Sequence, residues 1–146
     1  MYILLDTNVL LRWLDPCHPD QILLESALKK LVLDGANLCY SSQNLGEFWN
    51  VLTRPLKQNG FGLSAQQADR RAHSFESKII LLPDDPAVQH IWRRLLVEYR
   101  VYGVQVHDAR LVAAMHIHGV KRILTFNTKD FSRFDGIEAI HPAQLA

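Results

Sequence analysis

The stretch Tyr2-Ile3-Leu4-Leu5-Asp6-Thr7-Asn8-Val9-Leu10-Leu11 constrains the fold more than any other part of the chain. An apolar run without alternation, uncharged before Asp6, is the pattern of a strand buried on both faces of a parallel sheet. The run opens directly into a helix, so a carboxylate stands at the carboxyl end of the strand. In open α/β sheets that is the end at which ligands bind. The same position suits a helix cap, for which Asp, Thr and Asn are all favoured. Only partners elsewhere in the chain separate the two readings.

Those partners have to come from the segments that follow. After a first helix, roughly Asn8 to Leu14, the prolines of Asp15-Pro16-Cys17-His18-Pro19 force a turn. A second helix starts near Asp20, carries Leu24, Ala27, Leu28 and Leu31 at helical spacing, and stops at Gly35. Asn37 to Tyr40 reads as a strand, and Ser41 or Ser42 caps a helix whose Leu45, Phe48, Trp49 and Leu52 form one apolar stripe. Lys57-Gln58-Asn59-Gly60-Phe61-Gly62 reads as the most flexible segment. Ser64 with Gln67 is a capping box for a helix reaching about Glu76. A strand over Ile79–Leu82, an amphipathic helix from Asp85-Pro86 to about Tyr99, and a helix from Gln105 to His118 ended by Gly119 come next. Arg122 to Thr125 and Ile137 to Ile140 are the last strands, with a loop or single helical turn between them. Short strands alternating with helices predict an α/β fold, a sandwich with a mainly parallel sheet. Without repeat or linker, residues 1–146 are expected to form one domain.

Composition narrows the function only by exclusion. Sixteen Lys and Arg against fifteen Asp and Glu give a net charge of +1, so any argument for nucleic acid must be local. No apolar run approaches the roughly 20 residues of a membrane span, and the N-terminus lacks a basic stretch followed by a cleavage site. A cytoplasmic location is expected. Cys17 and Cys39 stand apart with no zinc-ligand spacing, which predicts reduced thiols.

The acids that follow strand ends carry more information. Glu47 lies well off the apolar stripe of its helix, as either a functional or a merely solvated residue would. Asp108 has Leu111, Val112 and Met115 at i+3, i+4 and i+7, which turns its carboxylate toward the buried face. That is unfavourable unless the group is paired or metal-bound, although Asp in a first helical turn also gains from the helix dipole. Asp6 and Asn127 follow parallel strands, and Glu47 and Asp108 project from helices that can pack beside those ends. Three carboxylates and an amide then share one cleft. Like charges do not gather without a cation, so the constellation implies a hard metal bound through oxygen, Mg²⁺ or Mn²⁺.

Read in order, Asp6-Thr-Asn-Val-Leu, Ser41 with Glu47 six residues on, Asp108 followed by Ala109, Ala113 and Ala114, Gly119, and Leu124-Thr125-x-Asn127-x-x-Asp130-Phe131 resemble a PIN domain. The resemblance is to the small single-domain toxins of VapC type and covers roughly residues 2 to 134. It implies a PIN-like three-layer sandwich, a central, mainly parallel sheet flanked by helices, and metal-dependent hydrolysis of RNA phosphodiester bonds. By the same resemblance Asp6, Glu47 and Asp108 are acidic site residues, and Asn127 occupies a fourth position that is usually acidic, in a Thr-x-Asp pattern.

Asp6 and Asp108 would hold the principal ion. Glu47 would ligate through water or orient the attacking water, and Asn127 would assist. Thr7 or Ser41 would hydrogen-bond the scissile phosphate or a ligand, and Arg54 and Lys57 are candidate phosphate contacts. An antitoxin protein and a homodimer are the partners the resemblance implies. Two rivals make different predictions. A haloacid-dehalogenase-type phosphatase wants a second Asp two residues after the first, where this chain has Asn8. A catalytically inactive PIN-like module would bind RNA or protein without cleaving.

Overall fold

The structure, a computed structural model, describes residues 1–145. Five strands form one sheet: β1 (Tyr2–Leu5), β2 (Asn37–Ser41), β3 (Ile80–Leu82), β4 (Arg122–Leu124) and β5 (Glu138–Ile140). All neighbours run parallel, in the order β3-β2-β1-β4-β5. The helices among the described residues are α1 (Thr7–Trp13), α2 (Gln21–Leu33), α3 (Ser42–Thr53), α4 (Ala65–Glu76), α5 (Val88–Glu98), α6 (Gln105–Ile117) and the short α7 (Lys129–Ser132). This is the α/β sandwich with a parallel central sheet expected from the sequence.

The unbroken apolar run of β1 has a direct cause. Ile3 and Leu5 point into one core with Leu10, Leu24, Phe48 and Phe75, under α1 to α4. Leu4 points into the other, with Leu111, Met115, Ile123 and Phe131 of α6, β4 and α7. A strand covered on both faces has no position for a polar residue until it leaves the sheet, and Asp6 is the first one available. The chain runs from β1 outward to β2 and β3, then returns to lay β4 on the other side of β1. The order therefore reverses between β1 and β4, and the crevice at such a switch point, beyond the carboxyl ends of the strands, is where open sheets place ligands.

Two segments differ from the sequence expectation. The amphipathic helix begins at Val88, because Asp85 closes a turn instead, accepting at Oδ1 from the Ala87 N–H at 2.8 Å. The loop after α3, expected to be flexible, is a tight 3-10 turn over Leu56–Gln58. Gly62 donates to the Arg54 carbonyl at 2.9 Å, and a side chain at Gly60 would place its Cβ 1.9 Å from that same oxygen, so only glycine fits.

Candidate functional site

Asp6 leaves β1 with extended backbone, φ −67° and ψ 155°, and its N–H donates to the Leu124 carbonyl of β4 at 3.0 Å. The carboxylate is buried. Oδ1 accepts from the Thr7 N–H at 2.8 Å, and Oδ2 accepts from the Thr125 hydroxyl at 2.7 Å. Thr125 is fully buried, and its oxygen in turn accepts from the Asn127 N–H at 3.0 Å. Burial pushes the Asp6 carboxyl up to about 6 against the pull of these two hydrogen bonds, and the charges of Glu47 and Asp130 add to the rise.

Asp108 stands in the first turn of α6, half-buried, with Leu111, Val112 and Met115 of the same helix in the core. Its carboxyl is pushed up to about 7, first by burial and then by the charges of Asp6, Asp130 and Glu47, while Arg133 works in the opposite direction. Glu47 is also half-buried, on the flank of α3, and Gln43 Nε2 donates to its Oε1 at 3.0 Å. Asp6, Glu47, Asp108 and Asp130 thus form one electrostatic cluster at the switch point.

The fourth charge comes from Asp130, in the first turn of α7 and three residues beyond Asn127. Asn127 is exposed, and its backbone rather than its amide takes part, through the bond to Thr125. The Thr7 hydroxyl is buried and accepts from Asn44 Nδ2 at 3.2 Å. Ser41 is buried as the cap of α3: its hydroxyl accepts from the Asn44 N–H at 3.4 Å, and its own N–H donates to Asn44 Oδ1 at 2.9 Å. Both hydroxyls are therefore engaged inside the protein. Arg54 follows the far end of α3, roughly 10 Å along the helix axis from Glu47 at 1.5 Å per residue, and donates to the Asn59 carbonyl at 3.0 Å. Lys57 is exposed in the adjoining turn.

Thr125, read from the sequence only as part of the motif around Asn127, completes the surroundings with Gln43, Asn44 and Arg133, which were not singled out. Asn44 had a signal, since it stands at the capping-box distance from Ser41. Arg133 had none, because its proximity to Asp108 is set by how α7 packs on α6.

The donor set suits a hard cation: four carboxylates, without sulfur or imidazole, two of them pushed toward protonation by burial and mutual repulsion. Among the described residues no three acidic, His or Cys side chains are already drawn to coordination distance.

The family model for the PIN domain matches residues 3–137. None of the curated proteins matches the chain. Among solved structures, a chain of VapBC2 from Rickettsia felis, bound to a DNA fragment from their promoter, superposes with a TM-score of 0.71 at 19% identity over 97% of this chain and 98% of that one. FitAcB from Neisseria gonorrhoeae gives 0.65 at 20% identity over 99% and 100%. VapC20 from Mycobacterium tuberculosis, a toxin that cleaves the Sarcin-Ricin loop, gives 0.54 at 19% identity over 83% and 86%. At these identities the likeness is one of fold.

Proposed function

The chain belongs to the PIN domain family, and on that premise we propose that it is a metal-dependent endoribonuclease, the toxin of a toxin–antitoxin pair acting in the cytoplasm. The observation that carries the reading is the cluster of Asp6, Glu47, Asp108 and Asp130 at the switch point, with Asp6 buried beside Thr125 at a carboxyl displaced upward. A phosphodiester is repelled by such a cluster until cations neutralise it. Bound Mg²⁺ or Mn²⁺ supplies that neutralisation, activates water, and stabilises the departing oxygen of an in-line displacement.

The chain's own residues set the conditions. Asp6 and Asp108 would hold the principal ion, with Glu47 and Asp130 beside them. Asn127 is the amide at the family's fourth position. Thr125 fixes the orientation of the Asp6 carboxylate by donating to Oδ2, as a metal ligand at this position would need. Gln43 holds Glu47 in the same way through its Oε1. No nucleophilic side chain is needed.

The toxin assignment draws support from the VapBC complexes among the similar folds. An antitoxin arm with a basic side chain at the cluster would satisfy the acids in place of a cation. A homodimer belongs to the same proposal, and exposed Val97, Tyr102 and Val104 around the α5 to α6 turn supply apolar surface for protein contacts. No helix among the described residues is long and apolar enough to cross a membrane.

The test is cleavage of a mixed RNA pool by the purified protein in Mg²⁺, abolished by chelator and restored by added metal. RNA binding without cleavage would overturn the enzymatic reading in favour of an inactive PIN-like module. Light scattering that shows a monomer at high concentration would remove the dimer.

A further inference from the structure

Between the start of α3, the turn from β3 to α5, and the facing sides of α5 and α6 lies a cavity of about 430 Å³, within the size range of small-ligand pockets. Gln43 both lines this cavity and reaches the carboxylates. Gln43 donates from Nε2 to Glu47 Oε1 at 3.0 Å and to the His107 carbonyl at 2.7 Å, and its Oε1 accepts from Arg110 at 3.3 Å. His107 immediately precedes Asp108. Gln43 thus ties the cavity to Glu47 directly and to the backbone next to Asp108, while none of the four acids lines it.

Its lining distinguishes between ligand classes. Trp92, Leu82, Pro83 and Pro86 supply flat or apolar surface. Trp92 is held in place because its indole N–H donates to the Val106 carbonyl at 2.8 Å. The Arg110 guanidinium lies 5.8 Å from the Trp92 ring centroid, and Gln89, Asp84 and Asp85 share the polar part of the wall with Gln43, His118, Ser41 and Ser42. A free anion would meet the two carboxylates, and a cation would meet Arg110. A neutral planar heterocycle with donors and acceptors on its edge meets neither obstacle. Its face packs on Trp92 and the prolines, while its edge finds donors on Arg110 and both functions on the Gln89 amide. Single-stranded RNA is read in this way, by stacking on aromatic or guanidinium planes with hydrogen bonds to the base edge.

We propose that the cavity selects one base of the RNA, that of a nucleotide adjoining the bond cleaved at the carboxylate cluster. The proposal rests on the nuclease reading for its substrate, and it adds a sequence preference set by Trp92, Arg110 and Gln89. Gln43, whose amide is already engaged on both sides, is a positioning residue between selection and cleavage.

The experiment titrates the full chain with the four nucleoside 5′-monophosphates and, separately, with inorganic phosphate, following the Trp92 indole N–H and the Gln89 side-chain amide by ¹H–¹⁵N NMR. Saturable shifts of both signals are expected with one base preferred, and no such shifts with phosphate alone. Arg110→Gln and Gln89→Ala should each weaken that nucleotide by about tenfold, the scale of one lost base contact. Cleavage of a randomised RNA pool by the two variants should then show a flattened preference at one position. Failure of every nucleotide to shift Trp92, or identical shifts with inorganic phosphate, would overturn the base site even if RNA is cleaved. Base-selective shifts in a protein that cleaves no RNA would uphold the base site and sink the nuclease reading instead.

Discussion

Asp6 and Ser41 occupy equivalent corners of adjacent parallel strands. Carrying the register Leu4↔Cys39 two residues further sets one beside the other. Each has extended backbone, with ψ of 155° at Asp6 and 167° at Ser41, and each leads straight into a helix. At Ser41 the corner is closed by a full capping box with Asn44, a neutral pair whose polar groups satisfy one another. Asn44 also reaches across to the Thr7 hydroxyl, tying the second corner to the first. At Asp6 the cap is poorer, since Oδ1 accepts only from the next residue's N–H, and the charge is held against desolvation. One backbone geometry thus has two chemical solutions. The Ser41 corner shows that this backbone geometry can be capped without a charge, so the carboxylate at Asp6 is what the proposed metal site would use.

The change that breaks the contrast most completely is Asp6→Asn. It keeps the shape of the side chain while removing the charge, and its single amide oxygen can accept from only one of the Thr7 N–H and the Thr125 hydroxyl. RNA cleavage should fall by about a hundredfold or more, the scale of losing one preorganised electrostatic group at a reacting phosphate. The melting temperature in chelator should hold or rise, because like-charge repulsion and the desolvation of a carboxylate go with it. Full activity with a lowered melting temperature would falsify the catalytic role and leave Asp6 a cap.

The second effect is in stability against pH. The Asp6 carboxyl titrates from 3.8 when unfolded to about 6 when folded, so the folded state binds the extra proton between those values. That contribution is present below pH 4 and disappears as pH rises through about 6. At about 1.4 kcal/mol per pKa unit it amounts to at most about 3 kcal/mol, with the protons shared across the cluster. Metal-free protein should therefore lose what remains of this contribution at pH 5, roughly half of it, by pH 8, and Asp6→Asn should lose less. Added Mg²⁺, which requires the charged form, should raise the melting temperature at pH 8 and have little effect at pH 5. Thermal melts of both proteins at the two pH values, with Mg²⁺ and with chelator, provide the check. Parallel pH profiles would place the perturbed carboxyl elsewhere.

The contrast also explains what was readable before the structure. Strand β1, its central place and the carboxylate at its end follow from one uninterrupted apolar run, because burial on both faces leaves a strong local signature. The inward turn of Asp108 was visible from the helical spacing of Leu111, Val112 and Met115. Asp130 was harder to place. Its sequence neighbourhood fits a turn equally well, and only the packing of α7 against α6 decides that its charge faces Asp6 and Asp108. The order of the 3-10 turn at Leu56–Gln58 was hidden for a related reason. Gly60 and Gly62 read as freedom, whereas Gly60 is required by a close approach to the Arg54 carbonyl, and that contact is tertiary.

At the neutral corner, Ser41→Ala removes the hydroxyl that caps α3. Urea unfolding should show a loss of about 1 kcal/mol, the usual value for an N-cap, with the dependence of cleavage on RNA concentration unmoved. A raised KM at unchanged stability would instead make Ser41 a substrate contact, and the two corners would be more alike than their hydrogen bonds suggest.

The smallest effect concerns how the charged corner divides its charge between Asn127 and Asp130. Asp130 contributes a full negative charge to Asp6 and Asp108, whereas the Asn127 side chain is exposed and neutral. A unit charge roughly 10 Å from a divalent ion in a solvated cleft contributes about 1 kcal/mol, a few-fold in affinity. Asp130→Asn should therefore raise the Mg²⁺ concentration for half-maximal cleavage by that factor. Asn127→Asp should lower it by a similar factor, because it adds a further carboxylate at the position the family usually keeps acidic. The added charge should also raise the pKa of its neighbours, so the Asp variant loses activity at a higher pH than the wild type as the solution is acidified. Asn127→Ala should shift the midpoint least, upward if the amide touches the ion. Mg²⁺ titrations of the cleavage rate at fixed ionic strength, with all four proteins side by side, decide the matter. Coincident midpoints for wild type and Asp130→Asn would remove Asp130 from the metal's surroundings, and a shift confined to the Asn127 variants would return the fourth ligand position to the amide.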